Sequence, residues 1–156
     1  MLSGYLVTVL ITIGIYIILA LSLNMITGYA GQISLGHAAF MGIGAYTSAL
    51  LYTKAGFPFW PAFILAGVAA GLVGMILAVP CLRVRDDFLA ITTMGINFVV
   101  EATFLYVPFF GAGMGIGGIE PPRFLGQEIG KPAFLLLVVV IIAASIAVDR
   151  WLARSW

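Results

Sequence analysis

Apolar residues run along this chain in five long stretches, at about residues 5–26, 34–52, 61–81, 88–107 and 132–148. A hydrocarbon core of roughly 30 Å takes about 20 mainly apolar helical residues to cross, so each stretch predicts a membrane-spanning helix. The connections are short apart from one longer loop at 108–131. The pattern predicts an all-α fold, a polytopic membrane helix bundle forming one transmembrane domain over 1–156. It has about five spans and a Gly-rich break between the first and second.

That break, Gly28-Tyr-Ala-Gly-Gln-Ile-Ser-Leu-Gly-His-Ala-Ala-Phe40, is the most polar interruption of the apolar pattern. Gly28, Gly31 and Gly36 punctuate it, and Gln32, Ser34 and His37 make it polar. Backbone that leaves a helix at membrane depth has to be buried in protein or line a watery cavity, because lipid cannot satisfy freed N–H and C=O groups. Transporters place such discontinuities where a solute passes. Ser34 fits the N-cap of the second helix. A helix counted only from Ala38 to Tyr52 would rise about 22 Å, too little to span. Either that helix starts at Ser34 or the break itself enters the membrane.

Composition narrows the class. Hydrophobic residues make up 63% and charged residues 8% of 156 positions, and the mean hydropathy is +1.18. A soluble domain carries roughly 25% charged residues, so a water-soluble globule is excluded. Seven Lys/Arg against six Asp/Glu form no basic stripe, which excludes nucleic acid as a partner. The single cysteine, Cys81, leaves no internal disulfide. Met1-Leu-Ser-Gly-Tyr5 lacks the positive start of a secretory signal, so the first span is expected to be retained. Arg83 and Arg85 follow the third span, and Arg150 and Arg154 follow the fifth. The positive-inside rule then places the C-terminus in the cytoplasm and the N-terminus outside, with Lys54, Arg123 and Lys131 a minority against it.

Within the spans, polar residues are few and so informative. Asn24 near the end of the first span is costly in lipid and has to face protein or water, as an interhelical hydrogen bond or on a solute path. The fourth span carries Thr92, Thr93, Asn97 and Glu101. A carboxylate there is a functional-site hypothesis by default, and Asn97 lies four residues before it on the same face. Three roles stay open for Glu101: a solute path or water-lined cavity, snorkelling to the interface, and a buried structural pair. Ala38, Gly42, Ala45 and Ala49 form one small-residue stripe, and Ala66, Ala70, Gly74 and Ala78 another. Both predict close helix packing rather than a pore lining.

Gly113, Gly115 and Gly118 spell a formal G-x-G-x-x-G, but the dinucleotide fingerprint needs a strand before it and a helix after. Here it follows a membrane span and runs into Glu120-Pro-Pro122, which predicts an external loop or gate. No P-loop, no metal-ligand cluster and no nucleophile near His37 occurs, so no catalytic residue is expected and the chain is not read as an enzyme.

Ala20-Leu-Ser-Leu-Asn24, the Gly28–Phe40 break, Gly42-Ile-Gly-Ala-Tyr46, Pro80-Cys-Leu-Arg-Val-Arg85, Leu89-Ala-Ile-Thr-Thr93 and Gly115-Ile-Gly-Gly118 occur in that order. With them the chain resembles the permease subunit of a branched-chain amino acid ABC importer, of the LivM type. The resemblance implies a cell-membrane pore protein working by alternating access. Its implied partners are a second permease subunit, two cytoplasmic ATPase subunits, an extracytoplasmic solute-binding protein and membrane lipid. ATP and Mg would be used by the ATPases, with no cofactor in this chain. The translocation-path candidates are Asn24, Gln32, Ser34, His37, Thr93, Asn97 and Glu101, and the ATPase-facing candidates Arg83, Arg85, Arg150 and Arg154. Family members carry an acidic residue and then an Arg where this chain reads Phe98 and Glu101, so the polar network of the fourth span is rebuilt. They are also about twice as long, which makes this chain read as the N-terminal part of a longer permease. The competing readings are a standalone oligomeric channel for a small neutral solute such as urea or an amide, and a membrane assembly factor.

Overall fold

The computed structural model describes residues 4–29, 31, 34–81, 86–119, 123–124, 127–128 and 130–155. The order is α1 (Gly4–Asn24) running into a π-helical turn (Met25–Tyr29), then α2 (His37–Thr53), α3 (Phe59–Cys81) and α4 (Asp86–Tyr106). A 3₁₀ turn (Pro108–Phe110), a two-stranded ribbon of β1 (Arg123–Phe124) and β2 (Gln127–Glu128), and α5 (Lys131–Ser155) follow. Each predicted apolar stretch is a helix. Pro61 falls in the first turn of α3, where a missing N–H costs nothing. Helix α5 continues through Asp149 to Ser155, beyond the predicted end at 148, because nothing in Asp149-Arg-Trp-Leu-Ala-Arg-Ser155 breaks a helix.

One expectation needs correction. Helix α2 starts at His37, and its N-cap is Gly36 with no side-chain cap, so Ser34 does not cap it. The helix is then 17 residues, about 25 Å. Among the described residues, α1, α3, α4 and α5 are long and apolar enough to cross a membrane unaided, and α2 falls just short of that length.

The chain divides into two compact units, residues 1–31 with 124–156, and residues 32–123. In the first, α1 packs along α5. A Cβ built on Gly4 would lie 3.8 Å from Lys131 Nζ, and one on Gly14 would collide with Val138 Cγ1 and sit near Ile142. Tyr29 Oη donates to the Asp149 carbonyl at 3.4 Å. Starts meet starts and ends meet ends, so α1 and α5 run parallel. Gly14 is buried in α1 because a methyl there would wedge the two helices apart.

In the second unit, α2 and α3 form an antiparallel hairpin. A Cβ built on Gly74 would lie 3.6 Å from the Phe40 ring, and one on Gly44 would lie 4.0 Å from Ala70 Cβ. Ala62 and Ala66 are buried, so the α3 stripe is a packing face as expected. The α2 stripe packs only in part. Its packing runs through Gly42, where a Cβ would stand 3.2 Å from the Phe104 ring of α4, while Ala38 and Ala45 are exposed. Helices α2 and α4 run parallel, with Gly36 against Thr93 at one end and Tyr46 stacked on Phe104 at the other, ring centroids 4.0 Å apart. Beyond α4, Gly111, Gly113, Gly115 and Gly118 all take positive φ, from 71° to 93°. The G-x-G-x-x-G is thus a chain of left-handed turns behind a helix, not a phosphate cradle behind a strand. Lys54 Nζ caps this region, donating to Phe109 O at 3.0 Å and lying 3.7 Å from the Phe109 ring centre.

Candidate functional site

The break re-enters helix against α4, and the contact is built from backbone. Leu35 N–H donates to Thr93 Oγ1 at 3.0 Å, and the same hydroxyl donates to Ala90 O at 3.0 Å. Thr93 is 9% exposed, the one buried polar side chain among the described residues. Gly36 is buried, and a Cβ on it would stand 2.8 Å from the Thr93 carbonyl oxygen. Gly36 has φ −93°, ψ 4°, a conformation any residue adopts, so its glycine is required by space alone. Gly31 is the opposite case: φ is +64° and nothing lies within 4 Å, so its glycine is required by backbone conformation alone. Gly28 lies inside the π-helical turn, with the Asn24 side chain 3.4 Å from where its Cβ would be.

One to two turns along α4 from Thr93, a cleft of about 310 Å³ opens between α2 and α4. Ala38, Ala39, Gly42 and Tyr46 line it from α2, and Asn97, Val100, Glu101, Phe104 and Leu105 from α4. The small α2 residues leave the room, and the Tyr46–Phe104 stack, backed edge-on by Phe110, closes the far end. Asn97 is half-buried and Glu101 exposed to the cleft side, and no hydrogen bond joins them to each other. Exposed and without a hydrogen bond to Asn97, Glu101 is not the buried structural pair, and it lines the cleft.

Thr93, Asn97 and Glu101 follow one another at four-residue spacing along one face of α4, so they share it. The structure thus brings Thr93 to the break and Asn97 with Glu101 to the cleft. His37 opens α2 and Ser34 precedes it, both half-buried, and neither lines the cleft. Asn24 is exposed at the end of α1 in the other unit. Arg150 and Arg154 are exposed on the last turns of α5. Gln32, Arg83 and Arg85 lie outside the described residues. Sequence reasoning missed Tyr46 and Phe104. The signal was there: Tyr46 is one turn past Gly42, and Phe104 continues the Asn97–Glu101 face.

Long apolar helices, with a cleft between two of them that carries Asn97 and Glu101, define a multi-pass membrane protein. The family described as branched-chain amino acid transport system, permease component, matches residues 5–156, and the chain belongs to it. It is similar to the high-affinity branched-chain amino acid transport system permease protein LivM of Escherichia coli (strain K12), 41% identical over 120 residues, 76% of this chain and 28% of that one. LivM of Salmonella typhimurium (strain LT2) is likewise 41% identical over 118 residues, covering 75% of this chain and 28% of the relative. The chain therefore spans little more than a quarter of the length of the curated relatives it matches. No solved structure matches it.

Proposed function

We propose that this chain forms part of the membrane pathway of an ATP-driven importer for branched-chain or related small amino acids. The observation that carries the reading is the family match along residues 5–156, and the break docked on α4 beside the Asn97–Glu101 cleft supports it. In this reading the cleft is a stretch of the translocation path, and Thr93 holds the unwound segment in register beside it. Ser34 and His37 belong to the segment that Thr93 holds, and Asn24 and Gln32 remain candidates for the path from their chemistry alone. A second permease subunit completes the pore, two cytoplasmic ATPases burn ATP with Mg, and an extracytoplasmic binding protein delivers the solute. The N-terminus is outside and the C-terminus cytoplasmic, which puts Arg150 and Arg154, with Arg83 and Arg85, on the ATPase side.

Deleting the gene and measuring uptake of radiolabelled leucine tests this. The expected result is loss of ATP-dependent uptake, restored by the intact gene, together with co-purification of an ATPase in mild detergent. Uptake unchanged by the deletion, or passive flux that persists without ATP, would overturn it.

A further inference from the structure

Among the described residues, neither Glu101 nor Asn97 has a hydrogen-bond or ionic partner, although both lie inside a candidate membrane span. We propose that Glu101 reads the ammonium group of the transported amino acid and that Asn97 receives its carboxylate, a specificity that rests on the importer reading above. A carboxylate within a span costs several kcal/mol unless something compensates it. The facing wall of α2 supplies no charge: Ala38, Ala39 and Gly42 carry no polar side chain, and Tyr46 brings only a hydroxyl. A cation entering the cleft would supply that compensation.

The two groups match the head of an amino acid. An ionised Glu only accepts hydrogen bonds, whereas the Asn carboxamide also donates. Set one turn apart, about 5–6 Å between Cβ atoms, they face a zwitterion with an acceptor for its ammonium and a donor for its carboxylate. Val100 and the Phe104 ring give the same cleft an apolar wall for a side chain. Its volume, about 310 Å³, stands at the small end of ligand sites, which suits a single amino acid rather than a peptide. A solute lacking the amine would leave Glu101 without a partner and gain nothing from entering.

The test is solute protection in membranes from cells making the whole assembly. Leu105, at the cleft, is changed to Cys in a Cys81→Ser background, and its rate of labelling by a small thiol reagent is followed. Leucine is expected to slow labelling at least threefold, and 4-methylpentanoate, the same skeleton without the amine, to leave it unchanged. Adding Glu101→Gln is expected to abolish protection by leucine, while Glu101→Asp keeps part of it. Protection that survives Glu101→Gln, equal protection by the amine-free acid, or no protection with Glu101 in place would each overturn the assignment. Leucine uptake measured in parallel separates the two levels. Absence of ATP-driven uptake in the unaltered chain sinks the importer reading, whereas uptake without Glu101-dependent protection sinks only this one.

Discussion

Gly36→Ala is the smallest perturbation that addresses the docking of the break. Its new methyl would stand 2.8 Å from the Thr93 carbonyl oxygen and 3.3 Å from Thr93 Cβ. The obstacle is α4 backbone, not the end of a flexible side chain, so relief requires the 35–37 segment to lift away. Overpacking of this kind costs about 1–3 kcal/mol. Lifting also stretches the Leu35 N–H···Thr93 Oγ1 bond, and an unsatisfied buried donor adds about 1–3 kcal/mol. Together these amount to roughly 2–6 kcal/mol against the docked state, a shift of about 30-fold to about twenty-thousand-fold in its population. The assay is leucine uptake normalised to the amount of subunit in the membrane, with amide exchange at Leu35 as the local readout. Uptake is expected to fall at least tenfold with insertion intact and exchange faster. Because the clash is with a carbonyl, Thr93→Ala in the same chain should not restore uptake. Normal uptake in Gly36→Ala, or rescue by shortening Thr93, would refute the reasoning.

Other substitutions probe the neighbouring elements. Thr93→Val keeps the shape but removes the acceptor for Leu35, so it should speed Leu35 amide exchange by about ten- to a hundredfold, for about 1–3 kcal/mol, while Thr93→Ser stays near the parent. Gly31→Ala should destabilise the break by about 1–2 kcal/mol, and Gly31→Asn by less, since only the positive φ is at stake; equal effects in a protease-accessibility assay would contradict this. Gly14→Ala should lower the unfolding temperature in detergent by several degrees, for about 1–3 kcal/mol, and Val138→Ala should recover most of the loss; simple additivity of the two would show that they do not touch. Topology reporters at the N-terminus and after Arg154 should read opposite sides of the membrane, and a shared side would remove α2 from the crossing helices.

The helices were legible because long apolar runs are the strongest signal a membrane chain carries, and all five stretches are helical. Helix ends were less so. Ser34 has the chemistry of an N-cap, yet α2 starts three residues later, because the segment's hydrogen bond goes from Leu35 to a side chain 58 positions away. No local rule contains that partner. The Asn97–Glu101 face was readable from its spacing, whereas the cleft itself depends on which side α2 turns to α4. The small-residue stripe at Ala38, Gly42, Ala45 and Ala49 pointed to packing, and it does both: Gly42 lets Phe104 come close, while Ala38 leaves the cleft its room. Small residues permit close approach or leave space, and only the position of the opposite helix decides between them.

That α1 and α5 run parallel constrains what α2 must do. Two parallel neighbouring helices that both cross a bilayer start on the same side, so the chain between them crosses an odd number of times. Helices α3 and α4 supply two crossings; the third falls to α2, although its 17 residues rise only about 25 Å against a core of roughly 30 Å. The missing 5 Å is where the chain is not helical, at Leu35 and Gly36. Non-helical backbone at that depth has to be sheltered by protein, and Thr93 with the adjoining α4 backbone shelters it. The shortness of α2, the glycine at 36 and the buried threonine at 93 are thus one requirement seen three times. The same face of α4 then carries Asn97 and Glu101 into the cleft, so whatever shifts α4 against the break also reshapes the cleft.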